Sequence, residues 1–305
     1  MNGCSPFTGV PLPELEGAVT AVEPPDTGPG YWAGAPSAVF VDGVYYLAYR
    51  LRRPVGKGRG YAVVVASSPN GVEFEPLTVL EKDEFNTESL ERPALVALPG
   101  GGWRLYVSCA TPGTLHWRVD ALDAATPERF SAKRRRTVLP GDATTAVKDP
   151  VVLWQDGLWH LWGCCHPLPD PGEADRMTTR YATSRDGLRW SWKGIALSGR
   201  PGAWDERGAR ITSVVQGPAG PVAYYDGRAT AAENFFERTG LALADGPGVF
   251  RAISDVPEVT SPEGDGALRY LSVVALPDGG YRLYYEASRA DGAHHLRTER
   301  VPPPV

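Results

Sequence analysis

The chain has 305 residues, 22% of them charged and 42% hydrophobic, with a formal net charge of -5 at pH 7. These figures exclude a disordered polypeptide and argue against a general nucleic-acid binder. No apolar stretch approaches the length of a membrane-spanning helix, and 35 glycines and 29 prolines gather between the apolar runs, where turns need a positive or fixed φ.

The N-terminal stretch MNGCSPFTGVPLPELEG has neither a basic region nor an apolar region of the signal-peptide kind. A cytoplasmic location is therefore expected. Cys4, Cys109, Cys164 and Cys165 lack any metal-ligand spacing, so no metal site is predicted, and Cys109 and Cys164, on expected core strands, read as small buried hydrophobes.

From about Gly30 onward one unit recurs. Pro36, Pro93 and Pro150, spaced 57 residues apart, open the runs PSAVFVDGVYYLAY, PALVALPGGGWRLYV and PVVLWQDGLWHLW. Two later segments, from Ile211 and Leu271, repeat the pattern without the proline. Self-similarity of this kind marks a repeat architecture. Each copy reads as an antiparallel meander joined by Asp-Gly and Gly-Gly turns. The expectation is an all-β, five-bladed β-propeller of mostly four-stranded blades in one domain, 1–305, with blades at roughly 31–80, 91–139, 148–198, 208–253 and 268–301.

In such a meander the start of the first strand, the end of the second and the start of the third share one rim. The innermost strand starts ring the axis, and they carry Glu91, Arg92, Lys148, Asp149, Arg210 and Arg269. A ring of this composition suits an anionic or polyhydroxylated ligand, with arginine forks for carboxylate or phosphate. Asp149, flanked by Lys148 and Pro150, is the leading catalytic candidate, and Glu91, Asp226 and Glu237 are candidate partner carboxyls. Arg92, Lys148, Arg210, Arg228, Arg269, Tyr270, His166 and Trp32 are candidate substrate-binding residues, His166 as a proton donor or hydrogen-bonding group and Trp32 and Tyr270 for stacking on a sugar face.

With those features the chain resembles the five-bladed propellers of glycoside hydrolase families 43, 32 and 68 and, more distantly, the mannoside phosphorylases of family 130. The matches are Lys148-Asp149-Pro150, the turn ATSRDGLRW at 182–190, Asp226-Gly227-Arg228 and the run RTGLA at 238–242. The resemblance implies glycosyl cleavage or transfer in an axial pocket. It also implies that Asp149 keeps the third carboxylate of the family 43 set, while Ala35 and Arg210 stand where that family has its general base and general acid. The expected function is a carbohydrate-active enzyme, either a glycosidase with a relocated carboxyl pair or a phosphorylase whose arginines hold phosphate. The alternative is a propeller that binds a sugar or small anion, or one recruited to other chemistry. The expected partner is a small sugar or anionic sugar derivative, with no nucleic acid and no membrane. No cofactor is expected, and an axial Ca²⁺ or phosphate is left open.

Overall fold

The computed structural model describes residues 8–303; Cys4 lies outside them. The strands pair into five four-stranded antiparallel meanders. The first unit comprises Trp32–Val41, Val44–Arg52, Gly60–Ser68 and Glu75–Glu81, and the second Leu90–Ala97, Trp103–Ala110, Trp117–Ala124 and Arg136–Leu139. The third runs through Thr145–Gln155, Leu158–Pro167, Met177–Ser184 and Ser191–Ser198, and the fourth through Gly208–Gly217, Gly220–Arg228, Arg238–Gly246 and Val249–Ala252. In the fifth, Leu268–Ala275, Tyr281–Ser288 and His294–Val301 are completed by Val19–Val22, which comes from the other end of the chain and pairs with the third strand.

Among the described residues, five large hydrophobic clusters lie between the units, joining first to second, second to third, third to fourth, fourth to fifth and fifth back to first, and a small sixth of Ala110, Trp117 and Ala146 adds to the seam of second and third. The ring is thus closed by packing, and Val19–Val22 covers a sheet edge that would otherwise be bare. No helix among the described residues is long and apolar enough to cross a membrane.

The prolines do not open the inner strands as their spacing predicts. The inner strands begin earlier, at Trp32, Leu90 and Thr145, and Pro36, Pro93 and Pro150 fall where the register shifts, between Gly34 and Ser37, Leu90 and Pro93, and Lys148 and Val151. The same shift occurs at Ile211/Ser213 and Arg269/Ser272. Proline lacks the N–H a ladder needs, so within a strand it fits best at a bulge.

The turn ATSRDGLRW is a clasp between units. Ser184 Oγ accepts the N–H groups of Asp186 and Gly187, and Asp186 accepts those of Leu188 and Arg189. From the second unit, Arg104 and Tyr106 donate to the carbonyls of Asp186 and Gly187 at 2.7 Å each. Arg282 and Tyr284 grip the equivalent turn at Asn70 and Gly71. One unit thereby fixes the next at its outer turn.

Closure at the N-terminal side depends on Glu299, whose carboxylate accepts the backbone N–H groups of Glu14 (2.9 Å) and Leu15 (3.3 Å) and the hydroxyl of Tyr285 (2.8 Å). Glu299→Ala strands these donors and is expected to cost about 1–3 kcal/mol in denaturant unfolding. An unchanged midpoint would mean that the N-terminal segment does not close the ring.

Candidate active site

The bulges organise the axis. Before each bulge, the ladder sets an inner-strand residue against the end of the second strand: Gly34 faces Arg50, Lys148 faces Cys164, Arg210 faces Asp226 and Arg269 faces Glu286. In the second unit Leu90 faces Cys109, which sets Glu91 at the level of Ser108. The bulge residues follow, and three of them, Ala35, Asp149 and Tyr270, hold φ between 51° and 56°. Such angles are uncommon outside glycine and costly for a bulky side chain such as tyrosine. This register corrects one alignment. Arg210 is the counterpart of Lys148 and Arg269, and Ile211, not Arg210, is the counterpart of Ala35 and Asp149; without a proline the fourth unit offers no marker of its bulge.

Two sets of side chains meet in a buried ion network. Arg269 places Nε and Nη2 on Glu286 Oε1 (2.9 and 2.7 Å) and Nη1 on Glu237 Oε2 (2.6 Å). Arg50 bridges Glu91 and Glu286, the latter at 3.0 Å. Arg228 joins Glu237 (2.6 Å) to Asp175 (3.0 Å), and Arg210 joins Asp226 (2.7 Å) to Asp149 (3.1 Å). Backbone donors add to this: Asp226 accepts the N–H of Tyr270 at 3.0 Å, Asp149 that of Arg92 at 3.2 Å and Glu286 that of Ala35 at 3.1 Å. Three of the five bulges therefore aim an N–H into the network, while the N–H groups of Asp149 and Ile211 go to the hydroxyls of Ser108 and Thr179. Buried charges require this kind of pairing, since desolvation of an unpaired one costs several kcal/mol.

The predicted residues separate into layers. A small cavity of 30 Å³ is lined by Arg50, Lys148, Arg210, Arg228 and Arg269 together with Glu91, Glu237, His166 and Tyr270. Asp149 and Asp226 do not line it. Both are fully buried, and Tyr270, which lines the cavity, donates its hydroxyl to Asp149 Oδ2 at 3.3 Å. Asp149, expected at the mouth, instead positions Arg210 and Tyr270. Arg92 leaves the group altogether, because its side chain turns to the far side of the axis, onto the carbonyls of Pro36 and Thr212.

Trp32 is buried and stacked on His294, with ring centroids 4.6 Å apart, and the guanidinium of Arg52 lies 3.8 Å over its ring. Its edge lines a second, open recess of 690 Å³ on the same rim, with Arg52, Phe235, Phe236, Asp265 and His294. Phe235 lines both spaces, and at φ 85° its backbone is strained. The axial space as it stands holds about one or two waters, whereas the recess falls in the range of roughly 300–1,000 Å³ usual for ligand sites.

Protonation states follow from the pairing. Burial raises the Glu91 carboxyl, but Arg50, Lys148, Arg52 and Arg59 outweigh it and bring the pKa down to about 2. Glu237 and Glu286 are likewise held below the usual carboxylate range against burial, Glu237 by Arg269, Arg210 and Arg228, and Glu286 by Arg269 and Arg50. Asp226 goes the other way, to about 6, because burial and the nearby Glu237 outweigh Arg210. Burial and the neighbouring cations Lys148, Arg228 and Arg210 keep His166 neutral. Its Nδ1 lies 3.2 Å from the Ala174 carbonyl and its Nε2 3.4 Å from Cys164 Sγ. A carbonyl only accepts, so the proton is on Nδ1, and Nε2 accepts from the thiol. His166 is therefore a hydrogen-bonding group rather than a proton donor to the cavity. Among the described residues no cluster of three or more His, Cys, Asp or Glu side chains is placed to hold a metal ion.

No protein-family model matches the sequence, and no curated protein sequence does. Solved structures do match. A glycosyl hydrolase from Bacteroides ovatus superposes with a TM-score of 0.64 at 16% identity, covering 97% of this chain and 96% of its own. A GH43_1 enzyme from Xanthomonas citri, solved with xylotriose, gives 0.63 at 15% identity over 92% and 90%. The β-1,2-mannobiose phosphorylase of Listeria innocua, solved with β-1,2-mannobiose, gives 0.61 at 14% identity over 95% and 92%. The chain thus has the propeller fold common to these glycoside hydrolases and phosphorylases.

Glu286 serves Arg50, Arg269, His294 and the Ala35 N–H together. Glu286→Ala leaves Arg50 with Glu91 alone and Arg269 with Glu237 alone, strands the Ala35 N–H, and is expected to cost about 3–5 kcal/mol at neutral pH; a loss within about 1 kcal/mol, the scale of a surface pair, would contradict the network. The pH dependence has a definite sign. Between about 2 and the ordinary 4.5 the unfolded chain binds a proton at Glu91 that the folded chain does not, so the Glu91 contribution to stability is complete above about pH 4.5 and is lost as the pH drops toward about 2. Glu91→Gln should flatten that acid limb by about one proton, measured by unfolding at a series of pH values.

Proposed function

We propose that the chain is a carbohydrate-active enzyme, a five-bladed propeller whose substrate enters by the outer recess and reaches Glu91 and Glu237 when Phe235 is displaced. The observation that carries this reading is the position of Phe235, a strained aromatic wall common to the recess and the charged cavity. The recess is equipped for a sugar: the half-buried Phe235 and Phe236 offer aromatic surface, and Trp32 Nε1 and Arg52 Nε are buried donors without a partner. A ligand hydroxyl or anionic oxygen satisfies such donors, whereas leaving them bare is costly.

Around the inner cavity, five cationic side chains face two carboxylates. This excess suits a transferring oxyanion, so phosphorolysis, or action on an anionic sugar, fits the lining better than plain hydrolysis. Lys148 is the cation most open to a ligand, its nearest carboxylate oxygen lying 3.8 Å away on Asp149. In this reading Glu91 and Glu237, both ionised, stabilise the positive charge that develops on the sugar ring. Asp149 and Asp226 position Arg210 and Tyr270 beneath them.

A second reading, a propeller that binds a sugar or anion without turning it over, is favoured by one observation: the network carboxylates already have guanidinium partners. One set of assays separates the two. Aryl glycosides and β-linked disaccharides, with and without inorganic phosphate, are offered to the wild-type chain, Glu91→Gln and Phe235→Gly. The enzyme reading expects glycosidic cleavage stimulated by phosphate, a fall in kcat/KM of about 100-fold or more in Glu91→Gln, and a lower KM in Phe235→Gly, since glycine relieves the strain and opens the wall. Saturable sugar binding without product from any substrate would instead support the binding propeller.

A further inference from the structure

The later halves of the inner strands line a cavity of 400 Å³ at the other end of the axis from Glu91 and Glu237. Arg92 is the one charged residue in its wall, and among the described residues no acidic side chain lines it. The Arg92 side chain is buried, with 3% of the residue exposed. Its Nε and Nη2 donate to the Pro36 carbonyl at 3.2 Å each, and Nη2 also donates to that of Thr212 at 2.6 Å. Nη1 is buried and has no partner. The arginines of the network each touch at least one carboxylate, whereas Arg92 meets only carbonyl oxygens. Asp149 and Asp226 act on it at range and are themselves engaged by Arg210. Burial lowers its pKa to about 10, which still leaves it charged at neutral pH.

Three hydroxyls share this wall. Ser37, Ser213 and Ser272 occupy one position after the bulge in the first, fourth and fifth units. Each Oγ accepts a backbone N–H from the next inner strand, of Leu95, Val273 and Ala38 respectively, at 3.0–3.1 Å. Their own O–H groups are therefore available to donate. The remaining wall is apolar, with Val39, Val96, Val152, Val214 and Val273.

We propose that this channel is a second binding site, independent of the glycoside site, for a small monocarboxylate whose head sits on Arg92 Nη1 and the serine hydroxyls and whose carbon body lies along the valines. A buried cation with no ion pair favours a counter-charge. A single guanidinium matches a monoanion better than a phosphate dianion. The apolar walls favour a carbon chain over a hydrated inorganic ion.

The test is ligand binding, followed by calorimetry and thermal unfolding at constant ionic strength, with acetate, butyrate and hexanoate against chloride and phosphate. Butyrate and hexanoate are expected to bind saturably and raise the unfolding midpoint, with acetate, chloride and phosphate at least tenfold weaker. The effect should vanish in Arg92→Met and in Val214→Phe, which fills the channel and leaves Arg92 in place; Val214→Phe carries the test if Arg92→Met does not fold. Equal responses to chloride and hexanoate, retained binding in a folded Val214→Phe, or a crystal structure from hexanoate showing only water on Nη1 would each overturn the proposal.

Discussion

The structure depends on one constraint: the buried charges of the axial network must neutralise one another, and the bulges make this geometrically feasible. A regular strand would point alternate side chains to alternate faces of each sheet. The extra residue at each bulge breaks that alternation, as bulges at functional sites do, and at three of them turns a backbone N–H of Ala35, Arg92 or Tyr270 onto a carboxylate. Strain at Ala35, Asp149 and Tyr270 is tolerated because the ion pairs and the five interfacial cores over-determine the conformation. Loss of one acid therefore disturbs several units together.

The same constraint shapes the chemistry. The similar structures include a glycosyl hydrolase, a phosphorylase with bound mannobiose and an enzyme with bound xylotriose, yet in this chain the cavity at the Glu91 end of the axis is 30 Å³ and walled by paired charges. Arginines that clamp acids from both sides hold those acids ionised and also fill the volume a sugar would need. The room lies one residue farther out, past Phe235. On the proposed function, this closed centre beside an open recess with unpartnered donors is completed when a ligand moves the wall between them.

Much of this was legible in the sequence, and the residues show why. The prolines and Asp-Gly turns recur because each unit solves the same local problem, so the repeats and the residues Glu91, Lys148, Arg210 and Arg269 at the inner strands could be read directly. The facing set, Arg50, Ser108, Cys164, Asp226 and Glu286, shares an equally constant place at the end of the second strands, in LAYR, LYVS, LWGC, AYYD and LYYE. Aligning those ends exposes Arg50 and Glu286, which reading the first strands alone passes over. The closing strand Val19–Val22 has four residues and no repeat cue. Side-chain direction at a bulge, which sends Arg92 to the far channel and Asp149 beneath Tyr270, depends on tertiary packing. So does the φ of Phe235, and no local pattern encodes either.

The most direct measurement is a crystal structure of the chain grown with a β-linked disaccharide and phosphate. The account predicts a sugar in the recess against Phe236 and Arg52, Phe235 moved from between the two spaces, and phosphate near Lys148 with Glu91 beside the sugar ring. A sugar bound elsewhere on the ring, with Phe235 unmoved and the axial charges still closed on one another, would contradict it.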